Sequence, residues 1–355
     1  MQCEILRLEA QEEMDLVTQA LVGAAVAQSC SGPKSQRRAA LCGAIAGMAP
    51  DLDALISSST DPLLNLDYHR HFSHALAFIP FGASLVAICL WLITLGRLPF
   101  RKTWIACFLG YATHGLLDAC TSYGTHLFWP FSMERVSWNL VSIVDPIFSV
   151  PLLLLVFSGF RHYRPWAPRL ATTVCIGYLA FAAHQHEAAR IAQAELIQSR
   201  GHSSEQVTVK PSFGNVVLHR SVYLHQGIFY IDAIHVLPGL APEFYTGSGI
   251  AKFELNQTFP EVDPNSKLSR DLTRFSTFSK GYISLHPQLD DVIGDIRYAM
   301  IPTAATPLWG IKMKPDAPDK TVEFIQHRQM ERDDMSTFLR MLFRQLAPSQ
   351  ASEIL

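Results

Sequence analysis

The chain has 355 residues, long enough for two units of ordinary domain size, and its net charge of -2 offers neither a basic surface for nucleic acid nor an acidic tail. Only 17% of the residues are charged and they are unevenly placed, so hydrophobic windows have to be read locally. All seven cysteines fall in the first half with no Cys-x-x-Cys pair, which indicates neither a disulfide framework nor a zinc ribbon.

Residues 1–13 read as an acidic extension without the basic-then-apolar order of a cleavable signal peptide. Six apolar segments follow: Leu16 to Ser31, Ala39 to Pro50, Ala75 to Gly96, Thr103 to Cys120, Ile143 to Phe160 and Pro168 to His184. The first two are short and rich in Gly and Ala, so they suit a tightly packed hairpin as well as two full spans. The third carries no formal charge over its 22 residues, and a helix of that length reaches about 33 Å, enough for a hydrocarbon core of about 30 Å. Basic residues alternate between the connections. Lys34, Arg37 and Arg38 share one, Arg97, Arg101 and Lys102 another, and Arg161, Arg164 and Arg169 a third. The intervening connections, around residues 51–74 and 121–142, hold acids and histidines with only Arg70 and Arg135. The positive-inside rule places the three basic connections in the cytoplasm and the others outside, and six crossings would leave everything after His186 outside too.

From residue 187 the character changes. Glu187 to Arg200 is a charged helical stretch, and strand-like runs follow from Asn215, Gly227, Phe275, Asp291 and Pro307. A last amphipathic helix is expected over Val322 to Leu346. The expected architecture is a polytopic α-helical membrane domain of about four to six transmembrane helices over residues 14–186, followed by a small α+β domain over residues 187–355.

Residues able to do chemistry concentrate in the membrane half. APDLD supplies Asp51 and Asp53 at a helix end, YHRHFSH supplies His69, Arg70, His71, Ser73 and His74, and YATHGLLD supplies His114 and Asp118 on one helical face. Imidazole and carboxylate are ordinary ligands of divalent ions, and ionisable groups inside an apolar helix are costly unless paired or functional. Blander readings stand beside this one: His114 and Asp118 bonded to each other, the histidines in a solvated loop, the two acids as a helix stop. Asp145 before Pro146 reads equally as an N-cap or as a further ligand. The aromatic loop Thr121 to Ser132 suits a membrane-interface belt or the lining of a lipid-like substrate site. No Gly-x-Ser-x-Gly, P-loop, Gly-x-Gly-x-x-Gly or His-Glu-x-x-His is present, which leaves a metal site as the main catalytic option.

With MDLVTQALVGAAV, APDLD, HRHFSHAL, THGLLDACTSYGTHLFWPFS and IVDPIF in that order, the chain resembles the YdjM-like family of bacterial membrane-bound metal-dependent hydrolases. RFSTFSKGYISL and GDIRYAMIP are similar to that family's C-terminal segment, so the resemblance runs from Met14 nearly to the end. It implies a bacterial inner-membrane protein whose metal ligands are Asp51, Asp53, His69, His74, His114 and Asp118, with Asp145 added. His71 stands where the family more often has Gly and is left out. Gln19 stands where many members have His, so this position is not a ligand or one ion fewer is bound.

The expected function is metal-dependent hydrolysis at the outer membrane interface, with Zn²⁺ as the first choice of ion and Mn²⁺ or Mg²⁺ as alternatives. Arg70 would contact an anionic group of a small-molecule or lipid-like substrate such as a phosphoester. Membrane lipids are the expected surroundings and nucleic acid is not a partner. The rival expectation is a membrane transporter or scaffold whose His/Asp network handles ions or protons without hydrolysis.

Overall fold

The structure is a computed structural model that describes residues 16–97, 99–326 and 332–345. The chain folds as two units. One comprises the described residues up to Ile56 with Tyr68–Ala183 and Phe213–Asn215, and the other comprises Ser57–Asp67, His184–Ser212 and the described residues from Val216.

The first unit is helical. It contains α1 (Leu16–Ser29), α2 (Gln36–Met48), α4 (Ile79–Ile93), α5 (Phe100–Ala119), α6 (Pro146–His162) and the start of α7 (Trp166–Ser199); the short α3 (Leu64–Tyr68) belongs to the second unit except for its last residue, Tyr68. Glycine decides how closely the first helices approach. A Cβ at Gly110 of α5 would collide with the Gly43 carbonyl of α2, and one at Gly43 with the Gly23 carbonyl of α1. Three backbones therefore touch where side chains would hold them apart. Around them the buried core is small: Ala27, Ala39, Cys42, Ala46, Ala83, Ala87, Ala106 and Cys107, with Tyr111 the one large member.

The large apolar side chains point outward instead. Phe81, Leu85 and Leu92 on α4 and Ile147, Leu154 and Phe157 on α6 are each more than half exposed. Small residues inside and large apolar residues outside is the inverse of a water-soluble bundle and suits helices packed in lipid. Among the described residues, one stretch, Leu76–Ile93, is long and apolar enough to cross a membrane by itself, and α1 and α6 are shorter apolar helices.

In the second unit β1 (Gln206–Pro211), β2 (Leu218–His225), β3 (Ile228–His235) and β4 (Glu243–Ala251) form an antiparallel sheet in sequence order. After α8 (Leu255–Thr258) and α9 (Lys267–Phe278), a second antiparallel sheet follows from β5 (Ile283–His286), β6 (Leu289–Asp295), β7 (Trp309–Lys312) and β8 (Glu323–Gln326), and α10 (Arg332–Leu342) ends the described chain. Val222, Leu224, Phe229, Ile231, Tyr282 and Ile296 form one buried core. The segment 57–67 joins this unit through Arg274, whose guanidinium reaches Asp61 at 3.0 Å and Asp67 at 2.6 Å.

Three expectations need correction. The strand expected from Phe275 is the end of α9, because Ser266 Oγ caps the helix on the Ser269 amide at 3.1 Å and Leu268, Leu272 and Phe275 bury one helical face. Strand begins only at Ile283, after left-handed turns at Lys280 and Gly281. The last helix does not start at Val322, since Glu323–Gln326 pairs with β7 as a strand, and Leu346 lies outside the described residues. Finally, the apolar segment ending near His184 and the charged stretch from Glu187 are one continuous helix, α7.

Candidate metal centre

Three local features bring the polar residues together in the helical unit. Pro50 lacks an amide hydrogen, so α2 stops at Met48 and the chain tightens into a 3-10 turn, Ala49–Leu55, that carries Asp51 and Asp53, both buried. On α5, His114 and Asp118 sit one turn apart and are 0% exposed. Gly115 between them lets the backbone carbonyl of His74 lie where a Cβ would stand, and Tyr111 Oη donates to the Ser73 carbonyl at 2.9 Å. The loop reaches this point through Arg70, which adopts a left-handed φ of 60°.

Four atoms converge: Asp51 Oδ1, Asp118 Oδ2, His74 Nε2 and His114 Nε2. His74 Nε2 lies 3.3 Å from Asp51 Oδ1 and 3.1 Å from Asp118 Oδ2, and His114 Nε2 lies 3.2 and 3.4 Å from the same two oxygens. The two Nε2 atoms are 2.9 Å apart, and one donor atom from each of the four residues lies within 4.8 Å of the others. An ion bound tetrahedrally at about 2.0–2.1 Å has ligand-to-ligand edges of about 3.3–3.4 Å, close to the four nitrogen–oxygen separations, while the two nitrogens stand closer than such an edge.

The second ring nitrogens show which atoms are free to ligate. His114 Nδ1 is 2.5 Å from the Gly47 carbonyl, which only accepts, so Nδ1 carries the hydrogen. His74 Nδ1 is 3.1 Å from Asp53 Oδ2, which assigns its hydrogen in the same way. Both Nε2 lone pairs then face two carboxylates, and four acceptors meet with no proton assigned among them. Asp51 Oδ2 is buried without a hydrogen-bond partner among the described residues. This donor set, two imidazoles and two carboxylates with both rings anchored from behind, fits a divalent cation.

Asp53 organises the layer behind. Its Oδ2 accepts from Ser73 Oγ at 2.6 Å and from the Arg70 amide at 3.0 Å, while Oδ1 lies 2.8 Å from His69 Nδ1. Burial by itself would raise the Asp53 carboxyl, but its bonds with His69 and His74 prevail and hold it well below the ordinary carboxylate range. Asp118 is oriented by Gln19, whose Nε2 donates to Oδ1 at 2.9 Å, and by Arg70, whose Nε is 3.3 Å from Oδ2.

Of the seven metal candidates read from sequence, Asp51, His74, His114 and Asp118 meet in one group. Asp53 and His69 stand one layer out. Asp145 caps α6, accepting from the Ile147 and Phe148 amides at 3.0 and 3.3 Å, and its other oxygen accepts from Tyr178 Oη. Arg70 is 0% exposed, donates to Thr121 at 2.9 Å and stacks over Tyr123. His71 packs against His126 with ring centroids 4.6 Å apart, and burial pushes the His126 imidazole down to about 4. Gln19, Ser73, Thr121 and the Gly47 carbonyl support the site. Ser73 stands in the YHRHFSH motif, Thr121 opens the aromatic loop and Gln19 is marked by the family resemblance, whereas nothing in the sequence points to the Gly47 carbonyl.

No curated protein and no solved structure matches the chain. A family model described as "YdjM inner membrane protein" matches residues 14–189 and ends before the β sheets, so the likeness noted for RFSTFSKGYISL and GDIRYAMIP lies outside it. That span holds all four converging residues, and residues 14–189 of this chain belong to the YdjM inner membrane protein family.

Proposed function

We propose that the chain is a polytopic, membrane-bound, metal-dependent hydrolase that acts at the outer face of the inner membrane on a phosphoester or lipid-like ester. The observation that carries the reading is the convergence of Asp51, His74, His114 and Asp118 with both imidazoles fixed through Nδ1. These four residues would hold a divalent ion, Zn²⁺ first with Mn²⁺ and Mg²⁺ as alternatives, and such an ion supplies an acidified water. The chain's own groups then have separate tasks. The Gly47 carbonyl and Asp53 keep the two imidazoles in the Nε2-ligating tautomer, and Gln19 and Arg70 hold Asp118 in place. The Arg70 guanidinium, assigned from sequence to a substrate anion, serves Asp118 and Thr121 in this reading.

Placement at the outer face is supported by the nine Lys and Arg of three connections that hold no Asp or Glu, and by Arg274. Because Arg274 pairs with Asp61 and Asp67, the connection after Asp53 and the C-terminal unit share one side of the membrane. Four crossings between His74 and Glu187 satisfy that parity. A C-terminal reporter active only outside the cytoplasm agrees with this topology, and one active only in the cytoplasm overturns it.

The enclosure of the four donors, none more than 5% exposed, favours a second reading in which the same network conducts ions or protons. Elemental analysis of the detergent-purified protein beside His74→Ala/His114→Ala decides first. Stoichiometric metal in the parent alone, with metal-dependent phosphoester turnover, supports the hydrolase. Absence of metal after reconstitution with Zn²⁺, Mn²⁺ or Mg²⁺ overturns it, and proton-coupled uptake in vesicles then supports the second reading.

A further inference from the structure

At the other end of the same helices lies a cavity of about 780 Å³, lined from the end of α1, the start of α2 and the start of α5. Its lining divides by chemistry. Lys34, Arg38 and Lys102 are exposed cations, while Ala39, Cys42 and Ala106 form a buried apolar floor. None of the three cations has a carboxylate partner among the described residues, and the sequence holds no Asp or Glu from residue 16 to 50 or from 75 to 117. Ile105 of α5, 42% exposed, also lines the cavity. Lys102 and Asp118 are sixteen residues apart on α5, about 24 Å along its axis, so the cavity is separate from the metal centre.

We propose that this cavity seats an anionic phospholipid, with its phosphate between Lys34, Arg38 and Lys102 and the upper part of one acyl chain on the Cys42 and Ala106 floor. Three unpaired cations beside an apolar cleft between membrane helices match an amphiphile with an anionic head, and a basic pocket of this kind recognises lipid head groups. A free phosphate would use the cations and leave the floor unfilled.

Native mass spectrometry of the delipidated full chain, given equal amounts of dioleoyl phosphatidylglycerol and dioleoyl phosphatidylcholine, tests the assignment. Retention of phosphatidylglycerol at least about ten-fold above phosphatidylcholine is expected. Lys34→Gln/Arg38→Gln/Lys102→Gln loses that preference, whereas Arg161→Gln/Arg164→Gln/Arg169→Gln, with the same change in charge, retains it. Because the first variant removes residues that also set topology, Ile105→Trp provides a second test: it narrows the cavity with every cation present and lowers retention. Equal retention of the two lipids, an equal effect of both triple variants, or unchanged retention in Ile105→Trp overturns the proposal. So does full displacement of the lipid by millimolar inorganic phosphate, which would mark the cavity as a free-phosphate site.

Discussion

His74 Nε2 and His114 Nε2 face each other at 2.9 Å, although each ring has its hydrogen assigned to Nδ1 by an acceptor behind it. Two lone pairs at that distance, with Asp51 and Asp118 alongside, require a cation or extra protons between them. The four side chains come from a 3-10 turn, a loop and one helix, so the arrangement belongs to the tertiary fold.

Asp53 is expected to act on the centre through His74. Replacing it by Asn keeps the shape but weakens acceptance from His74, His69, Ser73 and the Arg70 amide. Metal affinity measured by chelator competition should fall by about 10- to 100-fold, without complete loss. Unchanged affinity would mean that Asp53 serves the loop alone.

Gly110→Leu should separate α5 from α2, because its Cβ would meet the Gly43 carbonyl backbone. Overpacking of this kind costs about 1–3 kcal/mol, and here it also moves His114 and Asp118 away from Asp51. Thermal unfolding and metal content should both drop. Gly177→Ala, whose Cβ meets nothing within 4 Å in the interior of α7, should leave metal content unchanged and lower neither, the added methyl favouring the helix by about 0.5–1 kcal/mol.

In the β-rich unit, His219 is fully buried, and burial with the neighbouring His186 pushes its imidazole down to about 3. An unfolded histidine titrates near 6.5, so between these values the unfolded chain binds the extra proton and folding is penalised. Stability from this group is complete above pH 6.5 and is lost as pH falls toward about 3, to a limit of about 4–5 kcal/mol. His219→Leu should flatten the acid limb of the melting-temperature profile between pH 6.5 and 4.5. An unchanged slope would assign acid sensitivity to other groups.

Arg274→Gln removes the pairing with Asp61 and Asp67. The three side chains are between 30% and 44% exposed, so global stability should change by no more than about 1 kcal/mol. The local effect should be larger, with faster amide exchange across residues 57–67. Equal exchange in the parent and the variant would show that other interactions hold the segment.

The ligand residues were legible in sequence because ionisable groups stand out in apolar helices, and His114 with Asp118 has a spacing that permits one helical face only. Which of Asp51 and Asp53 faces the centre was not legible. In a 3-10 turn neighbouring side chains point about 120° apart, so residues two apart face different directions. Asp51 reaches His114 on α5 as well as His74, and Asp53 turns to His69, Ser73 and the Arg70 amide. Asp145 offered a cap and a ligand on equal terms, and its hydrogen bonds to Ile147 and Phe148 are those of a cap. In the second half, period-two and helical patterns overlap in short amphipathic runs, which is how the end of α9 came to read as strand.

Residue type and local spacing are enough to establish that an apolar, helical half carries a His and Asp set, that a β-containing half follows, and that basic residues alternate between connections. They leave open which of the seven candidates meet. That four of them do, that Asp53 and His69 stand behind, and that residues 57–67 belong with the C-terminal unit are settled by packing in three dimensions. Each of those facts depends on backbones distant in the chain, and in the helical unit they are brought close where Gly23, Gly43, Gly110 and Gly115 leave no side chain in the way.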